Sequence, residues 1–138
     1  MALKETYKIE NFHFQDPVKK TKIGEVISSI DASIIPLKKL PLFEGAIPSK
    51  IFENLAMEKP IILGVNGEAK ELFIEKGKCG LHFEPENVDD LVSCINKFIA
   101  EPELKKQFGE NGRKFAKSHF DRDILANNFY DELISLKN

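Results

Sequence analysis

The chain has 138 residues, which is enough for one domain of ordinary size and too few for two. Hydrophobic residues make up 42% of it and include 11 phenylalanines, a composition that can build a core and excludes a disordered chain. Lys and Arg number 20 against 22 Asp and Glu, so the formal net charge of −2 excludes the basic excess of a general nucleic-acid binder.

Targeting and cysteine usage narrow the class further. The sequence contains no apolar run of the roughly 18 residues that a membrane helix needs, and residues 1–5 lack the apolar stretch of a signal peptide. Cys79 and Cys94 are too few for a disulfide framework, and the histidines show no metal-ligand spacing. We therefore expect a reduced, cytoplasmic protein with no bound metal.

In chain order, the hydropathy pattern predicts alternating strands and helices. Pro48 suits the first turn of a helix, Asn87 and Asp121 are typical N-caps, and Gly77 is predicted to end a helix in the left-handed conformation. The predicted strands lie at 11–14, 32–36, 60–65 and 80–83, and the predicted helices at 19–30, from 48, at 68–76, from 87, from 102 and from 121.

This alternation predicts an α/β fold with a Rossmann-like parallel sheet flanked by helices. The apolar run at 60–65 is typical of a central parallel strand. Ligands of such sheets bind at the carboxyl ends of the strands. The loops at 15–18 and 36–48, which follow the first two predicted strands, are therefore the first places to look for a site.

The most informative stretch is 44–53, where a loop of small residues enters a helix. A helix N-terminus presents unpaired N–H groups and a partial positive charge, which favour an anion such as a diphosphate. Gly45 and Ala46 let a ligand approach the backbone closely, while Ser49 adds a hydroxyl group and Lys50 a positive charge.

Glu53 lies on the same helix face as Ser49, four residues further on. One helical turn rises about 5.4 Å, which is close to the separation of a nucleotide's phosphates from its ribose hydroxyls. A carboxylate at that place can accept two hydrogen bonds from a vicinal diol. Spacing alone leaves open the alternative that Glu53 and Lys50 are solvated side chains on a helix surface.

The same stretch resembles the donor-site signature of the retaining glycosyltransferases of family 4 (group 1), which have the GT-B fold. That signature has two acidic residues eight positions apart, and here Gly45 stands in place of the first acid while Glu53 matches the second. The similarity continues in order through the segments 11–14, 30–36, 67–72, 111–113 and 118–121.

The resemblance implies a donor site for a nucleotide-diphosphate sugar that needs no metal and no other cofactor. It assigns the backbone of the loop to the donor sugar and diphosphate, a carboxylate to the ribose diol, flanking side chains to the phosphates and an upstream segment to the nucleobase. The residues that match the loop are Gly45, Ala46 and Ile47, and Glu53 matches the carboxylate for the ribose diol. Ser49 and Lys50 match the side chains beside the phosphates, and Phe14, Gln15 and Val18 match the segment that holds the nucleobase. No catalytic residue is assigned.

The resemblance also implies the carboxy-terminal half of a two-domain enzyme, with residues 1–120 as an incomplete donor-binding domain and 121–138 as a helix that crosses back to the other domain. We expect such a fragment to have little or no transferase activity alone. Its open sheet edge, or a new pairing of 11–15 with 32–36, predicts a homodimer or a strand-swapped assembly. Phe129 and Tyr130 are predicted to be exposed.

The motif Pro48-Ser49-Lys50, together with Gly67-Glu68-Ala69, looks most like transferases of bacterial surface polysaccharide and lipopolysaccharide synthesis, some of which transfer acetamido sugars. That likeness implies action in the cytoplasm, with at most peripheral contact at the inner face of the plasma membrane. Two alternatives stay open: an α/β interaction or regulatory module that has lost its ligand, and a sugar-nucleotide epimerase of the same fold.

Four further residues near the predicted cleft are weaker candidates. Lys38 and Lys39 are placed to steer phosphate, or else are solvated cations. Glu68 and Lys70, at the start of a predicted helix, face the cleft edge in this interpretation. His82, beside Phe83, is predicted to be a core or surface histidine without a chemical role.

Overall fold

Three short parallel strands form the sheet: β1 (Ser33–Pro36), β2 (Ile61–Gly64) and β3 (Gly80–His82). They pair in sequence order, with Ile34 opposite Ile62 and Ile62 opposite Leu81. This computed structural model describes residues 2–136, so Met1 and the last two residues of the predicted 121–138 segment lie outside the described residues. The predicted α/β fold with a parallel sheet is confirmed.

The helices flank this sheet and begin close to the predicted positions. Asn87 accepts a hydrogen bond from the Asp90 N–H at 3.1 Å and Asp121 accepts one from the Asp123 N–H at 2.9 Å, which confirms both N-caps. The helices are α1 (Ala2–Thr6), α2 (Ile23–Ser29), α3 (Lys50–Ala56), α4 (Val88–Ala100), α5 (Pro102–His119) and α6 (Arg122–Ser135), with 3-10 turns at Lys20–Lys22 and Pro41–Phe43 and a π-helical segment at Lys70–Lys76.

One face of the sheet, here called the α3 face, carries the deeper core. Successive side chains of a strand point to opposite faces, and Ile61, Leu63 and Val65 all point to this one. α3 and the π-helical segment, which connect consecutive strands, both pack against it through Leu55 and Phe73. Burial of this apolar surface is the main stabilising contribution to the fold.

The opposite face, here called the α4 face, is covered by α4 and the start of α5. Its buried residues are Ile62, Phe83 and Phe98, and Phe108 of α5 packs beside them. Ile34 of β1 also lies opposite Ile62 in the sheet, yet it stays 45% exposed. The β1 side of the α4 face is therefore open in the part of the chain that the structure describes.

The predicted strand at 11–14 is wrong, because these residues pair with no strand of the described chain. All of them are exposed, and Phe12 packs edge to face on Phe14 with ring centroids 5.0 Å apart. Alternation of Phe and polar residues indicates a strand only where a neighbouring strand and a core receive it. The sheet begins at β1, so the predicted pairing of 11–15 with 32–36 is not formed.

The predicted left-handed cap at Gly77 is also wrong. Gly77 has a φ of −75°, and the left-handed residue is its neighbour Lys78, at a φ of +49°. Glycine is needed at 77 for space, because a Cβ there would lie 2.7 Å from the Cys79 Sγ and 2.9 Å from the Phe115 ring. Cys79 itself is fully buried, and that burial raises the pKa of its thiol to about 12.

The last helix, α6, has no buried residue among those described. Phe129 and Tyr130 are each 63% exposed, as predicted. Among the described residues, no helix is long and apolar enough to cross a membrane.

Candidate functional site

The carboxyl ends of the three strands lie side by side at one edge of the sheet, and each continues into a loop. The loop after β1 is held where it leaves the strand, since the Leu37 N–H donates to the Gly64 carbonyl at 3.0 Å. It then folds on itself through short backbone hydrogen bonds, including those from the Phe43 N–H to Leu40 and from the Ala46 N–H to Phe43. The segment 40–46 is therefore a compact unit rather than an open loop.

This segment is attached to the turn after β2 by its backbone. The Glu68 N–H donates to the Glu44 carbonyl at 2.8 Å. Between them in space lies Gly67, at a φ of +74°, and a Cβ at this position would overlap the Glu44 carbonyl oxygen. Only glycine satisfies both the left-handed conformation and the close approach.

A chain of polar side chains crosses the same edge. The Lys39 Nζ lies 2.6 Å from the Glu84 Oε1, and the Asn66 amide nitrogen lies 3.2 and 3.3 Å from the two oxygens of that carboxylate. The Asn66 Oδ1 faces the His82 Nε2 at 2.9 Å. We call these four residues the strand-end network.

Donors and acceptors follow one order through the strand-end network. A carboxylate only accepts, so the Asn66 nitrogen must face Glu84 and its oxygen must face His82. His82 therefore carries its proton on Nε2, and this N–H donates a hydrogen bond to the Asn66 Oδ1. The hydrogen bonds from Lys39 and Asn66 lower the pKa of Glu84, and the hydrogen bond to Glu84 raises the pKa of Lys39.

His82 is held as a neutral donor. Its burial, and to a smaller extent the charge of Lys70, lower the pKa of the imidazole. Its backbone carbonyl also accepts a hydrogen bond from the Cys94 Sγ at 3.3 Å. The prediction that His82 is a core or surface histidine without a chemical role does not include these contacts.

A cavity of about 330 Å³ opens beside the strand-end network. Lys39 and Asn66 of the network line it, together with Glu44. None of the nine predicted site residues is among its lining residues in the described part of the chain. These are Lys38, Lys39, Leu40, Pro41, Phe43, Glu44, Val65, Asn66 and Pro85.

The predicted donor loop continues directly from Glu44 to α3. Gly45 is exposed, and a Cβ built on it would meet nothing within 4 Å. Ala46 and Ile47 are half-buried, and Ile47 packs on the α3-face core. The structure therefore anchors the loop through Ile47 and leaves open space at Gly45.

The polar side chains of the same prediction lie on the start of α3. Ser49, Lys50 and Glu53 are exposed. In the described part of the chain, Ser49 makes no capping hydrogen bond to α3 with its hydroxyl group. Because these side chains lie within one turn of the same helix start and are exposed, they can be reached by a ligand lying over the loop.

The residues predicted to hold a nucleobase, Phe14, Gln15 and Val18, are exposed in the extended segment that precedes α2. Phe14 lines a groove with residues of the amino-terminal segment, among them Lys4 and Ile9. In the part of the chain that the structure describes, no hydrogen bond or ring contact joins these three residues to the 45–53 loop, and their role stays a prediction.

Sequence reasoning missed Asn66 and Glu84, and it assigned no contact to His82. The available signal was their position, because Asn66 follows β2 and Glu84 follows β3 by two residues each. A search of the loops after every predicted strand, rather than only after the first two, finds both. Among the described residues, no group of three or more His, Cys, Asp and Glu side chains is arranged to hold a metal ion.

Comparison with known proteins assigns the chain to a family. Residues 2–115 match the family model described as glycosyl transferases group 1. The MMP alpha-(1->4)-mannosyltransferase of Mycolicibacterium hassiacum is 25% identical over 115 residues, which are 83% of this chain and 26% of that protein. An uncharacterized glycosyltransferase of Methanocaldococcus jannaschii, MJ1178, is 40% identical over 65 residues, 47% of this chain and 18% of that one.

Solved structures show the same fold. Sucrose-phosphate synthase from Thermosynechococcus elongatus superposes with a TM-score of 0.79 at 18% identity, over 98% of this chain and 33% of that chain. Anabaena Alr3699/HepE, solved in complex with UDP, superposes with a TM-score of 0.66 at 21% identity, over 80% of this chain and 29% of that one. The chain thus spans about a quarter to a third of the length of these proteins.

The family match covers most of the chain, including the whole sheet and the 44–53 loop. The fold is the predicted one, that of the carboxy-terminal half of a GT-B glycosyltransferase. The chain therefore belongs to the group 1 glycosyltransferase family.

Proposed function

We propose that this chain binds the nucleotide-sugar donor of a retaining glycosyltransferase. The observation that carries the proposal is the match of residues 2–115 to the group 1 glycosyltransferase family. Because the chain spans only 26% of the mannosyltransferase, the transfer step and its acceptor are proposed for a whole protein that includes it. The family model and the relatives reported above are glycosyltransferases or proteins with their fold, so an interaction module without a ligand is not favoured.

In this proposal the donor lies over the residues that follow Glu44 and lead into α3. The free space at Gly45 admits the sugar or the diphosphate to the backbone, and the exposed Ser49 and Lys50 contribute a hydroxyl donor and a positive charge to the phosphates. The exposed carboxylate of Glu53, one helical turn further on, accepts hydrogen bonds from the ribose diol. Phe14, Gln15 and Val18 are assigned to the nucleobase by the resemblance alone.

Direct binding tests the proposal. HepE was solved with UDP, so UDP is the first probe and GDP the second, each titrated into the protein by calorimetry. We expect Glu53→Ala to weaken nucleotide binding by about tenfold or more, since a hydrogen bond to a charged group contributes about 1.5–3 kcal/mol. Binding of neither nucleotide by the unaltered chain would overturn the proposal.

A matched control separates a lost contact from a general change of charge. Glu103 is exposed and lies in the first turn of α5, as Glu53 lies in the first turn of α3. Glu103→Ala should leave the affinity unchanged. Equal affinities in the Glu53 and Glu103 variants would remove Glu53 from the site while leaving the binding function intact.

The finer assignment is to bacterial surface polysaccharide or lipopolysaccharide synthesis in the cytoplasm, with a hexosyl or acetamidohexosyl donor. The support is the resemblance of Pro48-Ser49-Lys50 and Gly67-Glu68-Ala69 to transferases of that type. Calorimetry with matched UDP-sugars that do and do not carry an acetamido group tests it. Tighter binding of the acetamido sugar is expected, and a preference for the plain hexose would reject the acetamido donor.

A further inference from the structure

The strand-end network joins the exits of all three strands. Lys39 follows β1, Asn66 follows β2, and His82 and Glu84 lie at the end of β3 and just after it. Their contacts, between 2.6 and 3.3 Å, are side chain to side chain. They therefore add a constraint that the sheet's own backbone pairing does not supply.

The two outer members differ in how firmly they are held. His82 is half-buried and lies in β3 opposite Leu63, and the Phe83 N–H next to it donates to the Leu63 carbonyl at 3.1 Å, so His82 forms a fixed end. The Lys39 side chain is 61% exposed and belongs to the loop after β1. Glu84 is fixed from behind as well, because its N–H donates to the Asp90 carboxylate at 3.0 Å. The network thus attaches an exposed side chain of the loop to the end of β3.

The segment that Lys39 leads into behaves as one unit. Its internal backbone hydrogen bonds span 40–46, and its far end is attached to Glu68 through the Glu44 carbonyl. Beyond this segment, Ile47 packs on the α3-face core. The attachment at Lys39 therefore contributes, together with the contacts of Glu44 and Ile47, to the position of Gly45 and Ala46.

We infer that Glu84, acting through Lys39, is a positioning residue that sets the donor loop for ligand binding. This inference rests on the proposed function, because it assigns the loop's position a consequence for nucleotide affinity. Exposed ion pairs add little to global stability, so the pair is expected to change the loop and its ligand rather than the fold. Asn66 and His82 support Glu84 from the side of the sheet.

The test uses Lys39→Met and Glu84→Gln in the full chain, with two measurements. The first is hydrogen exchange of the amides of 38–46 without ligand, where we expect faster exchange in both variants and no further increase in the double variant. The second is UDP affinity, expected to fall by about two- to fivefold in each variant, the factor to which a surface ion pair converts. Lys39→Arg, which retains the ion pair, should restore both.

Glu86 provides the matched control. It lies in the same turn and contributes to the electrostatic environment of Lys39, but Glu84 holds the hydrogen bond to that ammonium group. Glu86→Gln removes the same charge without the contact and should leave loop exchange and affinity unchanged. If Glu84→Gln and Lys39→Met behave as Glu86→Gln does, the inference is overturned.

The two measurements also separate this inference from the proposed function. Faster loop exchange with an unchanged UDP affinity would overturn positioning, since the loop would move without affecting the ligand. Failure of the unaltered chain to bind UDP and GDP would reject the donor role. In that case, faster exchange in the variants would still support the attachment of the loop by Glu84.

Discussion

The two faces of the sheet are packed to different degrees. On the α3 face, Phe73 is fully buried and contacts the rings of Phe52, Phe115 and Phe120. On the α4 face, the buried set is smaller and Ile34 remains 45% exposed. The difference follows from connectivity, because both crossover segments between consecutive strands pack on the α3 face. The segments that connect consecutive strands therefore cover the α3 face. The α4 face depends instead on α4, which leaves β1 uncovered.

The largest expected effect is that of Phe73→Ala. Removing a fully buried ring leaves a cavity among three other aromatic rings, and Phe→Ala substitutions in cores cost about 3–5 kcal/mol. We expect this variant at the upper end of that range in urea unfolding at equilibrium. Phe14→Ala, at an exposed position, is the control and should change the free energy of unfolding little. Similar losses in the two variants would contradict the assignment of the main core to the α3 face.

Phe98→Ala is the corresponding test on the α4 face. Phe98 is buried, but its cluster is smaller and borders the open side of β1, so neighbouring side chains and water can fill part of the space. We expect a loss of about 3 kcal/mol, the lower end of the range for such substitutions. A loss equal to that of Phe73→Ala, measured by the same urea unfolding, would break the comparison of the two faces.

A pH-dependent effect is expected at His82. Its pKa is lowered in the folded state, so below the ordinary value of about 6.5 the unfolded chain binds more protons and stability decreases as the pH falls. His82→Gln keeps a donor toward Asn66 and removes this proton uptake. Urea unfolding at about pH 7.5 and about pH 5.5 should therefore show a smaller loss on acidification in the variant. His13→Gln, at an exposed histidine, should retain the full loss.

The smallest effect on stability is expected for Ile34→Lys on the open side of the α4 face. Because Ile34 is half-exposed, the free energy of unfolding should change by only about 0.5 kcal/mol. A charge on an edge strand opposes pairing with another chain. If the predicted homodimer forms through β1, light scattering should show a dimer for the unaltered chain and a monomer for the variant. Equal masses for both would place any association elsewhere.

Most of the fold could be predicted from local signals. The apolar run at 60–65, the caps at Asn87 and Asp121 and the proline near the start of α3 each have a local physical cause. The strand at 11–14 could not be judged in this way, since its alternating pattern required a partner strand that the described chain does not provide. The prediction for Gly77 was wrong for a similar reason: glycine is needed there because a Cβ would clash with the Phe115 ring, and Phe115 lies far away in the sequence.

The site was predictable in part. The motif at 44–53 is contiguous and could be recognised as a unit, whereas the strand-end network joins residues separated by up to 45 positions, from Lys39 to Glu84. Neither its distances nor its donor order follows from residue spacing. Position after a strand is the one local clue, and it marks Asn66 and Glu84 without indicating that they meet.

The contact between Gly67 and Glu44 involves only the backbone of Glu44, so it fixes the path of the main chain without involving the Glu44 side chain. The backbone carbonyl of Glu44 accepts a hydrogen bond from the Glu68 N–H, and it can lie this close to residue 67 because glycine has no side chain. The Glu44 side chain is exposed. Exchanging that side chain for another would alter the lining of the cavity while the backbone of the loop keeps its path. A substitution at position 44 should therefore change the cavity lining at little structural cost, provided that residue 67 remains glycine.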